Sequence, residues 1–408
     1  MSELPMTDTT RNDWPVPVDG HPWGIYLMFG LFGAQQGMLG PIMPFLRGEL
    51  GLDLRWTGLH FAAYALGLAL VGFPYRWLER RSLSIGMGQI AIASIVVASG
   101  LFSLANYLPM TLLAAMLMGL SGGLVMAVGQ AMLGARYQEQ AAAKLVAAHV
   151  VAGLCVLGGA LLVGGATAVD WSWRVAPLVV AVCAVLLVVV SRTAYRMDAG
   201  SPHDARLVQG KNSLPLGRRL QLSLWALVIL GISAEWGVGF WGAEYMKTHV
   251  QISASAAATL MSVYFAGTVC GRLASSYALR AIRPLTLLVA VMLGAIATLL
   301  VLYFTQERWA TAAFTFVLGA CLGNFFPLIL GSAMSIAPRA SSALSTQASQ
   351  AVGVALLLAP FLLGLLSERI GVEAAFSLLI VYPILMLPVV LGLRGALSTG
   401  NAAVIRQE

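Results

Sequence analysis

Apolar stretches about twenty residues long, separated by short polar breaks, follow one another along the chain from residue 22. They lie at 22–46, 57–78, 83–105, 108–134, 144–168 and 173–194, then at 220–246, 253–279, 285–304, 309–335, 342–367 and 373–395. A helix needs roughly 20 apolar residues to cross the hydrocarbon of a bilayer, so the pattern predicts an all-α membrane protein with twelve transmembrane helices. One break is longer than the others. Arg196 to Arg219 carries Pro202, Pro215, Gly200, Gly210 and Gly217 among scattered charges, which is the make-up of a linker. It divides the chain into an N-terminal six-helix bundle (22–195) and a C-terminal one (220–396), with polar tails at 1–21 and 397–408. The first tail lacks a basic region leading into an apolar core and is expected to be a tail rather than a cleaved signal peptide.

The two halves repeat each other at an offset of 200 residues without a gap. Gly37, Gly67, Gly119, Gly123, Gly153 and Gly164 meet glycine again at 237, 267, 319, 323, 353 and 364. Composition alone would give about two such coincidences. Ala34 with Ala234, Tyr64 with Tyr264 and Arg80 with Arg280 keep the same register. A duplicated six-helix unit predicts two pseudo-symmetric bundles with a site between them, an arrangement that can rock and expose that site to each side in turn.

Composition agrees with the pattern. The 59% hydrophobic and 10% charged residues set the chain apart from soluble domains, where about a quarter of residues are charged. Lys and Arg divide 18 to 6 between the two sides, with the tails and the linker on the rich side. That bias predicts cytoplasmic termini in a cell inner membrane. It also accounts for the net charge of +7 without nucleic acid. Cys155, Cys183, Cys270 and Cys321 all fall in apolar runs and read as small core residues, not as a metal site or disulfide framework.

Within this apolar background the chemistry concentrates in a few positions. Glu235 stands inside an apolar span, where a carboxylate is expensive and usually marks an ion or substrate path. Gly237, Gly239 and Gly242 thin the same helix, and Trp236 and Trp241 flank them. The repeat sets Gln35 opposite Glu235 and Gln36 opposite Trp236, so the first helix of each half carries polar groups at equivalent depth. Gln130, Asn324, Gln347 and Gln350 add amides, with Gln347 and Gln350 on one helix face; solute contacts and interhelical bonds are both open to them. Tyr64 and Tyr264 could stack on a solute or pack the core. His149 could move protons or bond a neighbouring helix, and His60 poses the same choice. Glu244 lies near a helix end and is expected at the interface. No arginine is expected at mid-span, so a tightly charged anion is the least expected solute. No nucleophile and base, phosphate loop, metal-ligand set or cofactor motif is visible, which argues against an enzyme.

Two six-span halves, a long linker and a short basic loop after the second span resemble the major facilitator superfamily. That loop, Gly72-Phe-Pro-Tyr-Arg-Trp-Leu-Glu-Arg-Arg81, departs from the family's motif: Arg76 stands where aspartate is expected and Glu79 replaces the second glycine, while Arg80 and Arg81 remain. Together with Arg272 these residues form the candidate gating loop. The run Gln35 to Leu46, and Ala234 to Trp241 with Tyr264 to Arg272, are similar to fucose-permease-like members. The resemblance implies a secondary transporter moving a small solute by alternating access, and its fucose-permease-like branch implies proton-coupled sugar symport through acidic residues in the first and fourth spans. This chain has Gln35, Gln36 and Gln130 there instead, which leaves Glu235 and His149 as the candidates for proton coupling in a chain expected to be monomeric and without cofactor. A proton-driven exporter of amphiphilic or cationic compounds, and a non-transporting receptor or lipid-handling protein, remain open alternatives.

Overall fold

In hydrocarbon a backbone has no water to bond, and a helix satisfies its N–H and C=O groups within one segment. The apolar runs accordingly fold as helices. The computed structural model describes residues 22–80, 86–137, 141–194, 218–337 and 340–398. The first half holds α1 (Trp23–Leu50), α2 (Leu54–Ala69), α3 (Gly72–Arg80), α4 (Met87–Leu104), α5 (Leu108–Tyr137), α6 (Ala141–Ala168) and α7 (Val175–Ala194). The second holds α8 (Arg218–His249), α9 (Ala254–Ala278), α10 (Pro284–Phe304), α11 (Arg308–Leu322), α12 (Phe325–Ile336), α13 (Ser341–Ile370), α14 (Val372–Ser377) and α15 (Val381–Ser398). Among the described residues ten helical segments are long and apolar enough to cross a membrane, α2 running into α3 and α11 into α12, and Val175–Val190 is a shorter apolar helix. Residues 1–21, 195–217 and 399–408 and Arg81 lie outside the described residues, as do the side chains of Glu79 and Arg80, while Arg218 and Arg219, expected in the linker, already open α8.

The repeat seen in the sequence is present in the helix boundaries. α2 and α9 begin at 54 and 254, α5 and α11 at 108 and 308, α6 and α13 at 141 and 341. The same close approaches recur as well. A Cβ on Gly67 would run into the Met116 carbonyl and one on Gly267 into that of Phe316; Gly119 and Gly319 abut the carbonyls of Tyr64 and Tyr264. Glycine is thus required where the second and fourth spans of each half touch backbone to backbone.

Three expected spans are broken: that at 57–78 turns at Leu70 and Val71, between α2 and α3. The span at 309–335 divides at Gly323 and Asn324, because Pro327 has no N–H to offer the Gly323 carbonyl four residues back. The last span opens with α14 and a 3₁₀ turn at Leu378–Ile380 before α15 resumes.

Two helix pairs, α2 with α13 and α6 with α9, join the halves, and α1 packs on α8 between them. Their tightest contacts lie toward the face opposite the linker. There Gly58 meets Gly364, Gly40 meets the backbone of Gly239 and Phe240, and Ser255 donates to the Gly164 carbonyl at 3.0 Å. Arg47 of α1 pairs with Glu244 of α8, and Arg55 lies 3.7 Å from Glu368. Toward the linker face the same helices become exposed, at Leu66 and Leu70 on α2, His149 and Val150 on α6, Arg272 on α9 and Gln350 on α13.

Leucines and valines such as Leu178, Val182, Leu186 and Leu293 stand exposed on the outside, a surface suited to lipid. This corrects the expectation for the cysteines: Cys183 and Cys270 are exposed, and Cys155 and Cys321 only partly buried. In a membrane helix the residues are apolar all round, so an apolar run does not distinguish the core from the lipid side.

Candidate functional site

Glu235 is held 5% exposed on α8, and its surroundings explain how a carboxylate can stay there. Arg272 of α9 donates from a terminal nitrogen to Glu235 Oε1 at 3.0 Å and from Nε to the Gly323 carbonyl at 2.9 Å. The second acceptor is free because Pro327 leaves it without a helical partner. The break between α11 and α12 therefore presents a backbone carbonyl to the site, as interrupted helices do in membrane proteins. Tyr264 fixes α9 against α8 by donating its hydroxyl to the backbone carbonyl of Glu235 at 2.8 Å. The expectation that no arginine reaches mid-span is thus corrected. Arg272 lies within the last two turns of α9 but turns its long side chain back to Glu235, and it belongs to this site rather than to a loop.

An aromatic seam adjoins the ion pair. The Trp236 ring lies 5.1 Å from Phe240 and 6.3 Å from Phe265; Phe240 stacks on Phe61 at 4.6 Å, and Tyr64 approaches it edge-on at 6.3 Å. Phe61 and Tyr64 belong to α2, so the seam joins the two halves. Trp236 is half-buried, whereas Tyr64 is fully buried with its hydroxyl unpartnered. His149 on α6 is exposed, lies edge-on to Phe29 at 5.3 Å, and sits within electrostatic range of Arg272. The site thus has a buried carboxylate, a half-exposed guanidinium, an imidazole from the other half and an aromatic wall.

The other sequence candidates divide into two groups. Gln35 is fully buried and works within its own half, donating to Ser99 Oγ at 2.7 Å and accepting from the Ser121 hydroxyl at 3.4 Å. Gln36 is buried beside it. Asn324 is buried at the helix break and donates to the Ala320 carbonyl at 2.6 Å. Gln347 is half-buried with its Oε1 enclosed and unpartnered, while Gln130 and Gln350 are exposed. His60 is an interhelical link, bonded to Thr111 Oγ1 at 2.8 Å and the Trp56 carbonyl at 2.6 Å. Arg76 is exposed and donates to the Gly72 carbonyl at 3.0 Å. Glu244, expected at the interface, is instead 1% exposed and paired with Arg47. The available signal was Arg47 itself, a charge at matching depth on the facing first helix.

Two voids lie away from this site. One, about 10 Å³ between α8, α10, α12 and α15, is apolar and too small for a solute; the other is a polar bowl of about 490 Å³ on the face opposite the linker, over Arg47, Arg55 and Glu368.

Several solved structures share this architecture. A bacterial homolog of the human lysosomal transporter Spinster, in inward-facing occupied form, matches with a TM-score of 0.72 at 14% identity, over 95% of this chain and 98% of that one. Its inward-facing unoccupied form gives 0.73 at 13% identity with the same coverage. The nucleoside transporter NupG matches with 0.68 at 12% identity, over 92% of this chain and 97% of that one. At such identities the likeness speaks for the fold. No curated protein sequence matches the chain. The model of the Major Facilitator Superfamily matches residues 25–243, more than half of the chain, and the ten membrane-capable helices make it a multi-pass membrane protein. With helices, repeat and family model in agreement, the chain belongs to the Major Facilitator Superfamily, as a transporter and not an enzyme.

Proposed function

We propose that the protein is a secondary active transporter of a small organic solute, working by alternating access between two six-helix bundles and coupled to protons through Glu235. The observation that carries it is the Glu235–Arg272 pair within the second half, buried on one side and half-exposed on the other, on helices that pack against α1 and α6 of the first half. Twelve spans, at 22–195 and 220–396, make up the two bundles, with α1 and the short α7 completing the ten. The lysine and arginine bias favours cytoplasmic termini in the inner membrane, and the apolar exterior suits a monomer surrounded by lipid. The likeness to fucose-permease-like members rests on the α1 and α8–α9 runs and favours symport. A polar, charge-bearing site weighs against a lipid-handling receptor, and a half-exposed guanidinium weighs against a cationic cargo.

Coupling follows from the cost of charge in this environment. Deprotonated Glu235 is held by Arg272; protonation cancels its charge, releases the guanidinium and alters the balance between the two openings. Glu235→Gln imitates the protonated form. The test is uptake into proteoliposomes under an imposed pH gradient, using a solute found by thermal stabilisation of the purified protein. The variant is expected to lose gradient-driven accumulation while keeping exchange. Accumulation at the wild-type level would remove Glu235 from coupling.

A further inference from the structure

The exposed charge of the ion pair is not that of the buried acid. Glu235 has a side chain only 7% exposed, whereas that of Arg272 is 44% exposed. A guanidinium has five N–H donors; here one bonds Glu235 and one bonds Gly323, and three are left over. From the other half, exposed His149 adds an imidazole within electrostatic range of Arg272. Next to Glu235 along α8, Trp236 offers a half-buried aromatic face, backed by Phe240 and Phe265. The group best matched to a planar fork of donors is a carboxylate, which Arg can bind through two parallel hydrogen bonds.

We propose that the solute is an organic carboxylate, its anionic end held between Arg272 and His149 and its apolar body against Trp236. This rests on the transport reading for the existence of a solute, and it supplies that solute's chemical class. It also gives Glu235 a defined relation to the cargo. Both carboxylates seek the same guanidinium, so a bound anion repels the charge on Glu235 and favours its neutral form, in which Arg272 is free for the solute. Anion and proton then enter together. Because the two recognition groups belong to different halves, a carboxylate between them bridges the cleft and favours its closing.

The experiment measures equilibrium binding to the full-length protein in lipid nanodiscs, without a gradient. The probes are acetate, hexanoate, phenylacetate and indole-3-acetate, each compared with its amide and with the amine in which CH₂NH₂ replaces the carboxylate. At least one carboxylate is expected to bind roughly tenfold or more tighter than its amide, as a charge-assisted bond does over a neutral one. Glu235→Gln should tighten that carboxylate about fivefold by removing the competing charge. Arg272→Gln should abolish the preference. Since Arg272 also anchors Gly323, the exposed His149→Glu provides a second variant, expected to weaken the carboxylate about tenfold and leave the amide unchanged. Tighter binding of the amines or amides, failure of every carboxylate to exceed its amide, or a preference that survives both Arg272→Gln and His149→Glu would overturn the proposal. Carboxylate binding without gradient-driven uptake would instead overturn the transport reading alone.

Discussion

The two members of the central ion pair are not equivalent in what they leave behind. Removing Arg272 strands a buried carboxylate and the Gly323 carbonyl together, whereas Glu235→Gln keeps a hydrogen-bonding group in place of a charge. Breaking a fully buried pair costs about 3–5 kcal/mol, and the half-exposure of Arg272 reduces this. Arg272→Gln is therefore expected to lose about 2 kcal/mol of stability and Glu235→Gln about 1 kcal/mol or less. Thermal unfolding of the purified variants decides it, equal losses being the adverse result. Glu235 itself was legible in the sequence, because a lone carboxylate in an apolar run has few structural excuses. Its partner was not, because the reach of an arginine side chain is a matter of three dimensions: position 272 looks like a helix end until the chain is folded. Gln35 shows the converse. Its register with Glu235 is real, yet its amide is consumed by Ser99 and Ser121, so symmetry of position did not bring equality of role.

Among the elements, the break between α11 and α12 links sequence to chemistry most directly. The all-helical membrane architecture was readable from hydropathy, but a hydropathy run continues through Gly323, Asn324 and Pro327 without marking that one carbonyl has been set free. Pro327→Ala would restore a donor to that carbonyl and draw it back into a continuous helix. Arg272 would then lose one anchor. Stability is expected to hold or rise slightly, since an alanine is a better helix residue than proline, while solute affinity should fall by about fivefold, as for the loss of one modest hydrogen bond. A calorimetric titration of wild type and variant tests this, unchanged affinity with an unbroken helix being the result against it. At the other end of α11, Glu307 accepts from the backbone N–H groups of Trp309 and Ala310 at 2.9 and 2.6 Å, and these bonds hold its carboxyl below the usual range. A depressed value stabilises the fold above the unfolded carboxylate pKa, about 4.3, and the benefit fades as pH falls through the folded value. Glu307→Ala should lower the melting temperature at pH 7, with the gap to wild type narrowing as pH falls through the lowered folded value. A gap that does not narrow as pH falls through the carboxylate range would contradict the capping role.

At the scale of the whole molecule the repeat explains why so much of the fold was readable: boundaries 200 residues apart and paired glycines against equivalent carbonyls impose one packing solution twice. What the repeat could not disclose is where the halves hold each other, since those contacts break its symmetry. Arg47 and Glu244 form such a contact, between the first helix of each half on the face opposite the linker. The pair is imperfect: Glu244 Oε2 and Arg47 Nε are both buried without a partner. Unsatisfied atoms in a buried ion pair weaken it as a source of stability, and under the proposed alternating access a contact that opens and closes benefits from a modest hold. Glu244→Gln removes the charge while leaving Arg47, 27% exposed, able to turn toward water once the halves separate. The variant should then favour opening on that face. Spin labels at Tyr107 and Gln306, exposed in equivalent loops of the two halves on the face opposite the linker, report it in a background without the four native cysteines. Glu244→Gln is expected to shift the distance distribution to longer values. Replacing both members, Arg47→Met with Glu244→Leu, should restore the short distance and hold it, because an apolar pair closes the same gap with no charge to hydrate. If the single variant keeps the wild-type distribution, the closure belongs to the glycine contacts between α2 and α13, and the ion pair is not the latch.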